Sequence, residues 1–386
     1  MKNILFFYTS EIISKAGGVE NVTEFWYQYF TDRGYNVHII FWKKHPILNA
    51  NIPQIQLPDE HHCYISSNVK FMKEYLNNNN IDVVINQAAI NNKSSLTCTE
   101  ACIETQTHLI SVLHNTPDWY LRSRKYLRPF LNYRISKLGL YYLWYIIQRC
   151  PGYKGGKYIY DKSTAIVVLS PNYVNEYYRL NVGKIANKVF PIANPLTFSL
   201  PSLDELKENI VLFVGRLSQQ KAVDILLYIW QRIELMSGVD DWKLVILGDG
   251  PERYKLQLLT LTLNLKNIEF VGHTDPTLYY RKAKIMCMTS IYEGLPMTLI
   301  ESQAYGVVPI ISNSFSAASD IIIDGLNGFL IPSNNRDIYV KRLFRLMEDN
   351  NMRKKMQIEC RKKAKLYDAK EISSKWFNLM NKIFKY

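Results

Sequence analysis

The run Ile210-Val211-Leu212-Phe213-Val214-Gly215-Arg216-Leu217-Ser218, with Lys221 just beyond it, decides how the rest of the chain is read. Its apolar stretch is short for a helix and suits a strand covered on both faces. Gly215 lets the backbone turn sharply after the strand. Helical spacing then takes over at 221–236. The pattern repeats downstream. Strands are expected at 243–247, 268–271, 285–288, 308–312 and 328–331, with helices over 252–264, 296–305 and 336–349 between them. Strands alternating with amphipathic helices predict an α/β fold with a parallel, doubly wound sheet.

The same alternation holds upstream. Strands are expected at 3–8, 36–42, 82–86, 108–113 and 164–169, and helices at 19–33 and 68–78. The chain therefore reads as two Rossmann-like halves in tandem, 1–195 and 196–370. The joint falls near Ile192-Ala193-Asn194-Pro195, and the stretch 371–386 is a helix expected to cross back to the first half. Doubly wound sheets bind ligands at the carboxyl ends of their strands. A site in a cleft between two facing halves is the resulting expectation.

Composition narrows the classes. The chain has 386 residues, of which 47% are apolar, so global disorder is excluded. Lys and Arg number 47 against 34 Asp and Glu, a formal charge of +13, which points to an anionic partner. The six Cys show neither Cys-x-x-Cys spacing nor His partners, so reduced thiols are expected rather than a disulfide framework or a zinc site. No apolar run reaches the roughly 20 residues of a membrane-spanning helix, and the N-terminal run is too short for a signal peptide.

Three strand ends in the second half carry candidate chemistry. Arg216 and Lys221 project where a diphosphate could lie, although two surface cations on a solvated loop read equally well. Gly248-Asp249-Gly250-Pro251 makes a tight turn into a helix. Most specific is Glu293-Gly294-Leu295-Pro296 leading to Glu301. Pro296 opens a helix whose free N–H groups at 294–298 favour an anion. Glu301 lies among Leu299, Ile300 and Ala304, where an unpartnered carboxylate is costly; it suits ribose hydroxyls or a buried ion pair.

Together these residues resemble the family 4 glycosyltransferases, retaining enzymes of the GT-B fold that include makers of bacterial surface polysaccharides. Gly215-Arg216-Leu217 with Lys221, Gly248-Asp249-Gly250-Pro251, Phe270-Val271-Gly272, and Glu293 with Glu301 followed by Ala304, Gly306 and Pro309 occur in the family's order. The resemblance implies that Arg216 and Lys221 grip the donor diphosphate. It also implies that Glu301 binds the ribose, and that Glu293 with the amides of Gly294, Leu295 and Pro296's loop holds the donor sugar. No cofactor beyond the nucleotide-sugar co-substrate is expected, and no Asp-x-Asp occurs, which fits transfer without a metal. Two positions depart from the pattern: Ala222 stands where Gly is usual, and Ser316-Ala317-Ala318-Ser319-Asp320 replaces a Gly-Gly-x-x-Glu stretch.

In the first half, Gly17 and Gly18 resemble the family's Gly-Gly loop after the first strand, and His114 matches a strand-end His. Ser170 and Asn194 match further positions lining the cleft. Residues 119–162 hold ten basic residues and one acid, Asp161, for a net +9, interleaved with aromatics such as Trp119, Tyr126, Tyr133, Trp144 and Tyr158. Such a segment suits an anionic membrane surface, or a helix packed on its domain with a solvated basic face. Nucleic acid is not expected, because no nucleic-acid fold motif accompanies the charge. The expected protein is a cytoplasmic glycosyltransferase, peripheral on the inner face of the membrane, with a glycan or lipid-linked acceptor. The rivals are a nucleotide-sugar epimerase, a phosphorylase, and a non-catalytic nucleotide-sugar or polyanion-binding module.

Overall fold

The computed structural model describes residues 2–14, 17–46, 50–88, 93–118, 156–182, 187–202 and 206–384. Most of the basic, aromatic stretch 119–162 lies outside the described residues; only 156–162, a helical turn and more, is among them. The chain divides into two units, Met1–Thr197 with Ile372–Tyr386, and Phe198–Glu371.

The first unit is built on a parallel sheet of β1 (Asn3–Ser10), β2 (Asn36–Lys43), β3 (Ile55–Gln56), β4 (Val83–Asn86), β5 (His108–Leu113), β6 (Ala165–Val168) and β7 (Val189–Pro191). Their order is β3-β2-β1-β4-β5-β6-β7. Ile4, Leu5, Phe6 and Phe7 are all buried, as continuous apolar strands between two helical layers must be. On one side Trp26 and Phe30 of helix Gly18–Thr31 stack with centroids 5.4 Å apart. The last helix, Ala369–Phe384, packs there: Trp376 meets Trp26 edge-on at 6.1 Å, and Tyr29 donates a 2.7 Å hydrogen bond to Ser373 Oγ.

The second unit holds β8 (Ile210–Val214), β9 (Lys243–Leu247), β10 (Ile268–Gly272), β11 (Ile285–Met288), β12 (Val308–Asn313) and β13 (Phe329–Pro332). The order is β10-β9-β8-β11-β12-β13, again all parallel. Trp230, Phe213 and Ile246 share its core with Tyr339 and Leu343. Burying each such side chain contributes about 1.5–3 kcal/mol.

Among the helices that escape the sequence reading are Lys93–Ile103, Asn172–Tyr177, Thr277–Lys282, Ala318–Ile321 and Asn350–Lys365. The last begins where the Asp349 side chain accepts from Met352 N at 2.8 Å. Its Lys-rich composition hides a narrow apolar stripe, Met356, Cys360 and Ala364, which is buried. Its Lys354, Lys355, Lys362 and Lys365 are exposed, so much of this basic stretch is a solvated helix face. Among the described residues no helix is long and apolar enough to cross a membrane.

Candidate active site

The second sheet reverses its order between β8 and β11. Loops leaving adjacent strands at such a reversal diverge to opposite faces and leave a crevice at the carboxyl edge. The loop after β8 carries Arg216 and Lys221, and the loop after β11 carries Glu293. Lys221 Nζ donates to Glu293 Oε1 at 2.6 Å, with side chains only 16% and 8% exposed. Hydrogen bonds to backbone carbonyls hold the loops in place. Ile291 N donates to Gln220 O at 2.8 Å, and the Gln220 amide donates to Tyr292 O at 2.9 Å. Thr289 Oγ1 donates to Ala222 O at 3.0 Å. Gln220 is a positioning residue the sequence reading missed; nothing in its local pattern marks it.

Ala222 has φ +47 and ψ +47, in the left-handed region. That is why Gly is usual here: an L-residue is strained by about 1–2 kcal/mol in this conformation. The departure at Ala222 therefore leaves the turn's shape in place at a conformational cost.

Gly248-Asp249-Gly250 acts on the same crevice from behind. Leu217 N donates to Asp249 O at 2.8 Å, and Glu252 N donates to Leu217 O at 3.0 Å. Gly248 has φ +131, and a Cβ there would lie 2.0 Å from Gly215 O. A Cβ on Gly250 would lie 2.5 Å from Leu217 O. The two glycines thus let one backbone lie directly on the other and fix where Arg216 emerges. Gly272, after Val271 at the end of β10, accepts from Gly248 N at 2.7 Å and extends the same support. Asp249 is spent on the turn itself, bonding Gly250 N and, at 3.0 Å, Arg253. Arg216 is exposed.

Beyond this loop, Gly294, Leu295 and Pro296 are buried and lead into helix Met297–Ala304, which no side chain caps. Glu301 sits in that helix. Its Oε2 accepts from the Tyr280 hydroxyl at 3.1 Å, and burial raises the carboxyl above the usual range. Tyr280 stacks on Tyr305 with centroids 5.6 Å apart. Tyr280 was also missed, because it lies on a short helix far from the motifs. The structure thus brings Lys221 and Glu293 together and gives Glu301 a separate hydrogen-bonded seat.

The first sheet reverses between β1 and β4. Gly17, extended at φ −172, and Gly18 lead from β1 into helix Gly18–Thr31. Within that helix's first turn Glu20 bonds the Tyr8 hydroxyl, and burial raises both groups. Gln87 follows β4 and His114 follows β5; His114 Nε2 and Gln87 Oε1 are hydrogen-bonded, while the buried Nδ1 has no partner among the described residues. Burial pushes the imidazole down from 6.5 to about 4, so it is neutral at physiological pH. Ser170 and Asn194, after β6 and β7, are both buried. Among the described residues no group of three or more His, Cys, Asp or Glu could hold a metal ion.

Two doubly wound parallel sheets, each with polar residues at its reversal, define a GT-B architecture. Residues 200–363 match the model of the family described as glycosyl transferases group 1. A Campylobacter jejuni protein named GalNAc-alpha-(1->4)-GalNAc-alpha-(1->3)-diNAcBac-PP-undecaprenol alpha-1,4-N-acetyl-D-galactosaminyltransferase is 30% identical over 208 residues, 52% of this chain and 56% of its own. The amylovoran biosynthesis glycosyltransferase AmsD of Erwinia amylovora is 29% identical over 232 residues, 58% of this chain and 64% of its own. These matches span little more than half the length of the relatives. In fold, the apo form of the lipopolysaccharide outer core galactosyltransferase WaaB superposes with a TM-score of 0.71 at 21% identity, covering 98% of this chain and 99% of that one.

Proposed function

We propose that the chain is a retaining glycosyltransferase that moves a sugar from a nucleotide-diphosphate sugar to a lipid-linked glycan in the assembly of a bacterial surface polysaccharide. One observation carries the reading: Lys221, Glu293 and Arg216 occupy the reversal point of a sheet within the stretch that matches the family. The bond broken is that between the anomeric carbon and the donor's phosphate oxygen. Negative charge then grows on the departing diphosphate, where Arg216, Lys221 and the amides opening helix Met297–Ala304 stabilise it. Glu293 aims Lys221 and takes a hydroxyl of the sugar. Glu301 accepts from the ribose hydroxyls. The acceptor hydroxyl attacks from the same face and its proton passes to the leaving phosphate, so no strong base is required. His114, neutral and weakly basic, orients a hydroxyl rather than removing its proton.

The undecaprenol-linked substrate in the Campylobacter relative's name supports a lipid-linked acceptor, and the +9 stretch 119–162 supports contact with an anionic membrane surface. The test is incubation with labelled UDP-, GDP- and ADP-sugars and polyprenyl-diphosphate glycans, with and without EDTA. Label should move into the lipid phase from one donor, with or without chelator. Donor isomerised without acceptor would indicate an epimerase, and phosphate-dependent release of sugar from glycan a phosphorylase. No chemical change in any donor would leave a binding module.

A further inference from the structure

The chain passes from the first unit to the second between Thr197 and Phe198. The segment that enters the second unit is fastened to the carboxyl end of helix Met297–Ala304, whose amino end opens at the candidate active site. Two contacts make the fastening. The Phe198 ring lies 5.6 Å from that of Tyr305, tilted by 45°. Arg361, on helix Asn350–Lys365, donates from Nη1 to Pro201 O at 2.7 Å and to Ala304 O at 3.3 Å. A cation is favoured at a helix's carboxyl end, where the last carbonyls lack partners within the helix. One guanidinium nitrogen therefore ties the entering segment to the last residue of that helix.

The same helix end holds Glu301 twice. Tyr305 N donates to Glu301 O at 3.3 Å and to Ser302 O at 3.1 Å. The Tyr305 ring stacks on Tyr280, and the Tyr280 hydroxyl donates to Glu301 Oε2 at 3.1 Å. Tyr305 and Tyr280 are both buried, so neither ring can shift without moving its neighbours. Phe198 is half-buried. Three rings in succession, Phe198, Tyr305 and Tyr280, thus run from the entering segment to the Glu301 carboxylate.

We propose that Phe198 and Arg361 are positioning residues for donor binding: they fix the carboxyl end of helix Met297–Ala304 and, through Tyr305 and Tyr280, hold the Glu301 carboxylate where it meets the ribose hydroxyls. The inference rests on the donor reading of Glu301 given above. It adds two residues that belong to none of the motifs, one on the segment entering the unit and one on the lysine-rich helix.

For the test, UDP, GDP and ADP are titrated calorimetrically into the full chain, and the diphosphate that binds is followed across pH. Glu301→Ala is the reference and should weaken binding by about tenfold or more, as loss of hydrogen bonds to a charged group does. Phe198→Ala and Arg361→Met should each weaken it about three- to tenfold. Burial raises the Glu301 carboxyl, the Tyr280 hydroxyl lowers it and Asp275 raises it. With the hydroxyl displaced the carboxyl rises further, so the loss of binding on acidification should begin at a higher pH in both variants. Arg361→Lys, which still donates to carbonyls, should restore most of the affinity. In a Tyr280→Phe background neither substitution should shift the pH dependence again, because each acts through that hydroxyl. Should Phe198→Ala unfold, Phe198→Leu must give the same shift. Unchanged affinity and pH dependence in the Phe198 and Arg361 variants, with only stability lowered, overturn the proposal, while weakened binding by Glu301→Ala keeps the donor reading. Unchanged binding by Glu301→Ala overturns both.

Discussion

The two sheets reverse in the same way, yet their reversal points carry opposite chemistry. At β1 and β4 the described residues offer Gly17, Gly18, the Glu20 carboxyl bonded to Tyr8, Gln87 and, reaching Gln87 from the end of β5, a neutral His114. At β8 and β11 they offer Arg216, a Lys221–Glu293 ion pair and, one helix on, Glu301. The topology supplies the location in both units; charge decides what each can hold. Neutral donors and acceptors suit hydroxyls, while the cations Arg216 and Lys221 suit a diphosphate. The largest expected effect tests that division. Lys221→Ala should lower kcat/KM for the nucleotide sugar about 10²–10³-fold, as loss of one transition-state charge contact does. The melting temperature should fall as well, because the nearly buried Glu293 loses its cation, so the kinetics are compared at a temperature where both proteins are folded. Unchanged donor kinetics would mean that the charged reversal point is not where the diphosphate goes.

A second break targets the scaffold. Gly248→Ala would place a methyl 2.0 Å from Gly215 O at φ +131. Backbone cannot yield as a flexible side chain can, so a loss of about 3 kcal/mol is expected. Denaturant unfolding would measure it. A loss below about 0.5 kcal/mol would show that the 215–217 and 248–250 loops are free to separate, against the rigid seat inferred for Arg216.

Legibility also differs between the two units. In the second, the apolar runs, the glycine turns and the two glutamates all follow local rules, so strands β8 to β13 and Lys221, Glu293 and Glu301 could be placed from sequence. Tyr280 and Gln220 could not, because each acts on a residue more than 20 positions away. Helix Asn350–Lys365 was hidden by its own lysines, whose solvated face outweighs the three buried apolar side chains Met356, Cys360 and Ala364. In the first unit the Gly17-Gly18 turn and His114 were legible as positions. The Gln87–His114 hydrogen bond was not, because it joins the ends of two different strands.

His114 sharpens the comparison through pH. Its folded value, about 4, lies below the unfolded 6.5, so between these values the unfolded chain binds the proton more readily. The contribution is fully present above pH 6.5 and is lost as pH falls towards 4. It amounts to about 2 kcal/mol once partial exposure is allowed for. His114→Gln should flatten the stability profile across that window, measured by urea unfolding at successive pH values. An unaltered slope would mean that the imidazole is not held neutral and that the first unit's reversal point is charged after all.

The smallest expected effect lies at the edge of the charged site. Tyr280→Phe removes the hydroxyl that donates to Glu301 Oε2 and leaves the stack on Tyr305 in place. That hydroxyl lowers a carboxyl that burial raises. Without it the carboxyl rises further, and the ionised form proposed to accept ribose hydroxyls is reached only at higher pH. Donor KM should increase about three- to tenfold, the net worth of one ordinary hydrogen bond, while kcat changes little. The acid limb of kcat/KM against pH should move upward. A purely structural role for Tyr280 would lower stability without moving that limb, and a fixed limb would detach Glu301 from donor binding.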